Sequence, residues 1–400
     1  MPELADRKKC TGCTACQSAC SSDCIEMKAD SHGFTFPVIN RNKCIECRKC
    51  EKACPVLNLE GLPDQNTIAF AAYSLNCELR EKSSSGGIWG ELAKEILNRH
   101  GHVYGAAYDR DYSVKHICVT NVSDLHKLQG AKYSQSELAG IFKEIKVKLE
   151  MGILILFSGT PCQTAGLKMY LNKEYDHLIC VDFVCHGVPS PMAWKQYVLY
   201  RAREDNHGEL PLSVNMRSKE TGWSRYQYSN VYLYGNNSMY SKKSTEDLFM
   251  KLFTGDFINR ESCAACQFKG YDRVSDITLG DFWGVWDIAP EMDDNEGTSL
   301  VLIHSDKGAD IYESLSDRIK CRRITLEQAS RQNPSLIQSS DSKKERKKVL
   351  DEISSGNMKD INRLLDSTDG RLRISMIQRN ISACVRRAVH RISHSRNEKR

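Results

Sequence analysis

The sequence predicts a mixed α/β protein in three parts, and three observations predict it. A cysteine run near the amino terminus occurs twice within the first 54 residues, which marks a small metal-organised unit. From residue 67 onward, strand-like and helix-like patterns alternate, as expected of an α/β body. Beyond residue 324 the pattern turns helical and, towards the end, strongly basic. The expected divisions are 1–60, 67–324 and 325–400, with 57–66 as a turn-rich linker.

In the first part, Cys10, Cys13, Cys16 and Cys20 form C-x2-C-x2-C-x3-C. Cys44, Cys47, Cys50 and Cys54 form it again, followed by Pro55. This is the spacing of a two-cluster bacterial ferredoxin. Three closely spaced thiolates wrap corners of one cubane, while the fourth has moved on and reaches the other. The spacing therefore assigns Cys10, Cys13, Cys16 and Cys54 to one 4Fe-4S cluster, and Cys44, Cys47, Cys50 and Cys20 to a second. Between the runs, IEMKADSHGFTFPVI reads as strand, turn at 30–33, and strand. Ser21 stands where the first run would ordinarily carry Pro, and Cys24 is surplus, reading as a small buried side chain. Zinc is the alternative for C-x-x-C pairs, but two complete runs argue against it.

In the second part, IAFAAYSL (68–75) reads as a strand, and SSSGGIWGELAKEILNRH as a glycine turn opening an amphipathic helix. HVYGAAYD and VKHICVTN read as strands, and ELAGIFKEIKVKLE (137–150) as a helix. ILILFSG, QTAGLKMYL, HLICVDFVC and PMAWKQYVLYRARE then alternate strand, helix, strand, helix, and 223–243 reads as antiparallel hairpins. No G-x-G-x-x-G follows a strand, so a Rossmann nicotinamide site has no support.

Two cysteines sit at telling places in this alternation. Cys162 follows the strand at 153–158 and Cys185 the strand at 178–184. A strand–helix–strand unit makes parallel neighbours whose following loops share one sheet edge, where ligands bind. The lone C-x-x-C of ESCAACQFKG, Cys263 and Cys266, reads as half a metal site, and Cys162 with Cys185 either supply the other half or are ordinary loop cysteines. Four thiolates favour iron–sulfur over hard cations, with zinc open on composition. SSSGGIWG (83–90) offers either a helix N-terminus for an anion such as a flavin pyrophosphate or simply a capped helix. Lys132 in QGAKYSQS either adds a cation to that site or is solvated.

Composition narrows the class. The chain has 400 residues, 40% hydrophobic and 27% charged, as in an ordinary globular protein. The longest apolar run, GILILF, is strand-sized, and no signal-peptide h-region opens the chain, so a cytoplasmic protein without a membrane span is expected. Eighteen cysteines in such a chain point to metal rather than disulfides. The net charge of +5 is unevenly placed: 371–400 carries +8 and the remainder −3, which argues against a nucleic-acid-binding domain. Ile374, Ile377, Ile381, Val385, Ala388 and Ile392 trace a basic amphipathic helix. Such a helix suits an acidic partner, an anionic membrane surface, or the acidic body itself. Cys77, Cys118, Cys180, Cys321 and Cys384 carry no motif and read as structural.

SSSGGIWG, QGAKYSQS, FSGTPCQTAGLKMYL, VCHGVPSPMAW, ESCAACQFKG and SDITLGDFWG, in this order, resemble the coenzyme F-420-reducing hydrogenase/dehydrogenase beta-subunit family over about residues 1–310. The resemblance implies a flavoenzyme in which FAD sits beside a 4Fe-4S cluster and exchanges a hydride with a deazaflavin, coenzyme F-420. It implies that Cys162, Cys185, Cys263 and Cys266 ligate that cluster. It places Ser85, Gly86 and Gly87, Lys132 and Tyr133, and the segment from Asp276 to Asp281 along the flavin pocket. Trp223 and Trp283 either line that pocket or pack in the core. The expected function is an oxidoreductase passing electrons between a hydride-carrying small molecule and 4Fe-4S clusters through FAD, with ferredoxin or another redox protein as partner. The alternatives are a non-catalytic electron-transfer subunit, a ferredoxin-dependent reductase of another organic substrate, and a zinc-stabilised interaction protein.

Overall fold

In the computed structural model, residues 2–58 and 66–361 are described. The basic amphipathic helix expected after residue 371 lies outside them.

The amino-terminal unit forms around the expected hairpin. Strands β1 (Ile25–Ala29) and β2 (Thr35–Ile39) pair antiparallel, with Ile25 opposite Ile39. The Asp30 carboxylate closes the turn by accepting from the backbone N–H groups of His32 and Phe34, each at 3.0 Å. Three one-turn helices, α1 (Ala15–Ser18), α2 (Lys49–Lys52) and α3 (Pro55–Asn58), carry the chain past the cysteines.

The body is an eight-stranded mixed sheet. Its strands are β3 (Ile68–Ser74), β4 (His102–Tyr108), β5 (Val114–Val119), β6 (Ile155–Ser158), β7 (Leu178–Phe183), β11 (Ile277–Asp281), β12 (Ser299–Ile303) and β13 (Ile319–Ile324). The order across the sheet is β13-β3-β12-β11-β7-β6-β4-β5. The four strands β4, β6, β7 and β11 run parallel, and the flanking pairs are antiparallel. The two strands expected as neighbours are neighbours, with Ile155 opposite Leu178. Both are apolar along nearly their whole length because both faces of the sheet are covered.

Helices α4 (Cys77–Glu81) and α5 (Ile88–Asn98) follow β3, and α6 (Ile141–Glu150) and α7 (Pro161–Leu171) bracket β6. On one face, α5 buries Ile88, Leu92 and Ile96, spaced by four residues, against Val103, Leu156 and Val181. On the other, α6 and α7 bury Phe142, Ile145 and Leu167 against Tyr104 and Phe157. The helix expected over 137–150 begins only at Ile141. Gly140 is left-handed (φ 78°), and Glu137 bridges Lys115 of β5, so the sheet edge takes the residues before it.

A smaller three-stranded sheet stands beside α8 (Pro191–Asp205). Its strands are β8 (Ser213–Ser218), β9 (Ser229–Leu233) and β10 (Met239–Lys243), in the order β10-β9-β8; one hairpin, β9 with β10, falls within 223–243, and β8 precedes that stretch. With α9 (Leu248–Thr254) these elements enclose an aromatic core of Trp194, Tyr197, Tyr232 and Phe249. Phe34 and Phe36 of the amino-terminal hairpin belong to that core, and Cys13 and Ala15 pack into the α6/α7 core. Close approach depends on residue 166 being glycine, since a Cβ there would stand 2.9 Å from the Cys13 Sγ. The remaining helices are α10 (Val285–Ile288), α11 (Asp306–Glu313), α12 (Leu326–Arg331) and α13 (Arg346–Ser354). No helix among the described residues is long and apolar enough to cross a membrane.

Candidate metal centres and cofactor pocket

The two cysteine runs fold alike. In each, the residue before and the residue after the second cysteine are left-handed: Gly12 (φ 71°) and Thr14 (67°), Glu46 (55°) and Arg48 (56°). These paired turns curl the chain around a cavity, and the helix that follows carries the fourth cysteine away. Cys10, Cys13, Cys16 and Cys54 surround one cavity, lined otherwise by residues that include Leu4, Met27 and Val56. Cys20, Cys44, Cys47 and Cys50 surround a second. Cys24 lines the second as well, its Sγ 3.3 Å from that of Cys20, so it is buried beside a candidate ligand rather than apart from it.

The donor set fits a cluster better than a single ion. A tetrahedral zinc site draws its sulfurs to about 3.8 Å of one another. Among the described residues no three cysteine, histidine or acidic side chains converge to hold one ion. Burial, with like-charged sulfurs close by, pushes the Cys13 thiol up to about 12 and raises Cys16 and Cys54. Such thiols ionise only when a cationic group takes the place of their protons.

The structure also brings the body cysteines together. Cys162 is the second residue of α7, whose start is fixed by a Thr160–Gln163 capping box, and its Sγ lies 3.2 Å from Thr160 Oγ1. Cys185 follows β7, and Cys263 and Cys266 lie in and just after the turn Glu261–Ala265. The negative groups that oppose ionisation of Cys162, after burial itself, are Cys266, Cys185 and Cys263. Cys263 is likewise pushed up to about 12. Lys269 Nζ donates to the Cys185 and Ser335 carbonyls, and the Cys266 N–H donates to Ser339 Oγ at 3.0 Å.

The residues expected around a flavin divide into two places. Asp281, at the carboxyl end of β11, receives both Nη groups of Arg217 at 3.0 Å and Trp223 Nε1 at 3.2 Å. Trp223 stacks on Trp283 with ring centroids 4.9 Å apart. Arg217 also donates to the Ser84 carbonyl, and Lys219 donates to those of Ser85 and Glu296. Ser85 to Gly87 therefore stand at the same edge as Asp281. Asp276 does not: it sits at the amino end of β11, where its carboxylate accepts from the Cys180 N–H and Ser305 Oγ, each at 2.7 Å.

The serines of SSSGG do not cap α5. Gly87, left-handed at φ 87°, takes the N-cap position, and Ser85 Oγ donates instead to the Thr298 carbonyl. Gly86 is needed for packing, because a Cβ there would lie 2.6 Å from the Ala72 oxygen. Trp89, from the same motif, lies against Gly105 of β4.

Lys132 is half-buried and is not paired with a carboxylate among the described residues. Its Nζ donates to the carbonyls of Leu128, Gln129 and Gly130, stands 5.6 Å from the Tyr108 ring centroid, and is pushed down by burial to about 7. Tyr108 OH and His116 Nδ1, from residues beside it, are buried without partners, as are Trp89 Nε1, Ser134 Oγ and Arg217 Nε elsewhere. A lysine without a carboxylate partner beside orphaned polar atoms suits a polar, anionic ligand. Sequence reasoning missed Arg217 and Lys219. The two basic residues at alternate positions in NMRSK, Arg217 and Lys219, at the end of β8, were the available signal.

Two family models match the chain. Residues 154–329 match the carboxy-terminal region of the coenzyme F-420 hydrogenase/dehydrogenase beta subunit, and residues 9–58 match a 4Fe-4S dicluster domain. No curated protein matches. Among solved structures, a chain of the F-420-reducing NiFe hydrogenase complex from Methanosarcina barkeri, in a xenon-derivatised form, is 17% identical with a TM-score of 0.45, over 76% of this chain and 92% of that one. The chain thus joins a 4Fe-4S dicluster domain at 9–58 to a region, 154–329, that matches the carboxy-terminal part of the coenzyme F-420 hydrogenase/dehydrogenase beta-subunit family.

Proposed function

We propose that this iron–sulfur electron-transfer protein exchanges electrons between a hydride-carrying small molecule, of which the deazaflavin coenzyme F-420 is the leading candidate, and a one-electron protein partner, using FAD and three 4Fe-4S clusters. The observation that carries the reading is the grouping of twelve cysteines into three sets of four. Cys162, Cys185, Cys263 and Cys266 lie in the body, then Cys10, Cys13, Cys16 and Cys54, then Cys20, Cys44, Cys47 and Cys50 at the surface. Bound flavin supplies the exchange between paired and single electrons that a hydride carrier and a cubane do not share.

The chain's own residues prepare the site for this. The Asp281–Arg217 pair and the Trp223–Trp283 stack form a rigid polar and aromatic wall. Lys132, pushed down to about 7 and without a carboxylate partner among the described residues, would take up a proton beside a bound anion. From Arg217 the wall continues through Tyr133, whose ring lies 4.8 Å from Phe253, to His186, 5.1 Å from Phe253 and adjacent to Cys185. At the other end, Cys47 and Ile45 are exposed within a loop, 41–52, that bears five Lys or Arg against two Glu, a surface suited to an acidic partner.

Anaerobic iron and flavin analysis of the full chain tests the reading. Three clusters give about twelve iron atoms per chain, together with bound FAD that reduced F-420 bleaches. About eight iron atoms removes the body cluster. Flavin-free protein that passes electrons only between clusters leaves an electron-transfer subunit without its own hydride chemistry.

A further inference from the structure

We propose that Arg260 is a positioning residue that locks the first dicluster cysteine set to the body set and raises the reduction potential of both. The inference rests on the reading that both sets carry 4Fe-4S clusters.

Arg260 belongs to both sets at once. Its backbone belongs to the body: its N–H donates to the Val188 carbonyl at 2.9 Å, and its own carbonyl accepts from the Cys263 N–H at 3.0 Å. Its side chain belongs to the amino-terminal unit. Nε donates to the Cys10 carbonyl at 2.8 Å, and Nη2 donates to the Thr35 carbonyl at 2.9 Å and lies 3.9 Å from the Cys10 Sγ. Nη1 donates to Gln135 Oε1 at 2.9 Å, and the guanidinium stands 4.3 Å from the Phe36 ring centroid. The approach is tight: a Cβ on Gly12 would stand 2.6 Å from Gln135 Nε2 and 3.0 Å from Arg260 Nη1.

The charge has no ordinary counter-ion. Arg260 is 2% exposed, and no Asp or Glu among the described residues forms an ion pair with it. The negative groups facing it are the sulfurs of Cys10, Cys263 and Cys162, one from the first set and two from the body set. A guanidinium cannot shed its proton to relieve such burial, so the compensating negative charge must come from those two centres. Each electron added to either centre increases that charge beside a fixed cation, so the reduced state of both is favoured. Among the described residues, none of the side-chain hydrogen bonds of Arg260 reaches the set at Cys20, Cys44, Cys47 and Cys50, which provides an internal reference.

The test is an EPR-monitored redox titration of the full chain after anaerobic reconstitution, with iron counted in each sample. In Arg260→Gln, two of the three clusters are expected to lose about tenfold in their reduction equilibrium, ~59 mV for one electron, while the third holds its potential. Arg260→Lys restores charge without the planar fork, and is expected to recover most of that shift. Gln135→Glu keeps the guanidinium and its packing but sets a carboxylate against Nη1, so it shifts the same two clusters in the same direction even if Arg260→Gln does not assemble. Twelve iron atoms with unchanged potentials in both Arg260→Gln and Gln135→Glu, or an equal shift of all three clusters, overturns the inference. A wild-type count near eight instead overturns the three-cluster reading on which it stands.

Discussion

The pocket assignment is most sharply exposed at Lys132. Its folded-state acidity is raised by burial, from an ordinary value of 10.5 to about 7. Taken at face value, that fall costs about 5 kcal/mol at pH below 7. Partial solvent contact and three carbonyl acceptors on Nζ favour the charged form, so this is an upper limit and about 2–3 kcal/mol is the more realistic cost. The sign follows from proton linkage. The unfolded chain holds the proton more tightly, so the empty protein gains stability as pH rises from about 7 towards 10.5 and is least favoured below 7. An anion in the pocket reverses this by favouring the charged lysine. At about 5 Å and an effective dielectric of 20, one negative charge contributes about 3 kcal/mol.

Lys132→Met therefore has two expected effects in deflavinated full-length protein. FAD binding at pH 7 weakens about 10- to 100-fold, the range between a screened and an unscreened interaction. Proton uptake on binding, read by calorimetry in two buffers of different ionisation enthalpy at pH 8, disappears. In the wild type, FAD affinity falls as pH rises above 7, and in the variant it is flat across that window. FAD binding within twofold of wild type with the same proton uptake would refute the placement of the anion beside Lys132.

Three other outcomes follow from the geometry. Cys266→Ser is expected to lose about four of twelve iron atoms while both amino-terminal clusters keep their EPR signals; loss of those signals instead would separate Cys266 from the body set. Gly166→Ala pushes a methyl to 2.9 Å from the Cys13 Sγ, and overpacking of this kind costs about 1–3 kcal/mol. The cluster at Cys10, Cys13, Cys16 and Cys54 should become labile to chelators, and equal lability of all clusters would count against the contact. Lys43→Glu with Arg48→Glu, both exposed, should slow electron exchange with an acidic carrier at low salt and leave it unchanged with a neutral dye, which stopped-flow mixing can separate.

The sequence disclosed those parts whose chemistry is local. Cysteine spacing fixes which thiols can share a cubane, and the structure gathers each amino-terminal set of four around its own cavity. The apolar runs of β6 and β7 announced buried parallel neighbours, and their loops deliver Cys162 and Cys185 to one place. What stayed hidden was long-range. Asp276 and Asp281 share one short motif, yet five residues of strand separate them by roughly 16 Å and set them at opposite ends of β11. Arg217 meets Asp281 across 64 positions, and Arg260 reaches Cys10 across 250, with no local pattern to announce either. The residues before Ile141 carry a helical pattern, but pairing with β5 outweighs that propensity.

The segment beyond the family match, which ends at residue 329, changes how the three parts relate. The Ser335 and Leu336 carbonyls accept from Lys269 Nζ and the Gly270 N–H, and Ser339 Oγ accepts from Cys266, so the stretch at 335–339 lies over the C-x-x-C loop. Further on, Arg346 Nε donates to the Asn259 carbonyl, Asp351 lies 2.7 Å from His32 Nε2, and Val349, Leu350 and Ile353 enter the aromatic core with Phe34. One continuous stretch thus fastens the body cysteines, the turn bearing Arg260 and the amino-terminal hairpin. A tethered redox unit on a flexible linker would sample many separations from the body. Here a shared core and a strap across the junction hold Cys10 and Cys263 on either side of a single guanidinium. The spacing between these two sets is therefore a property of the fold rather than of diffusion, and a substitution in this strap should alter transfer between them before it alters either set alone.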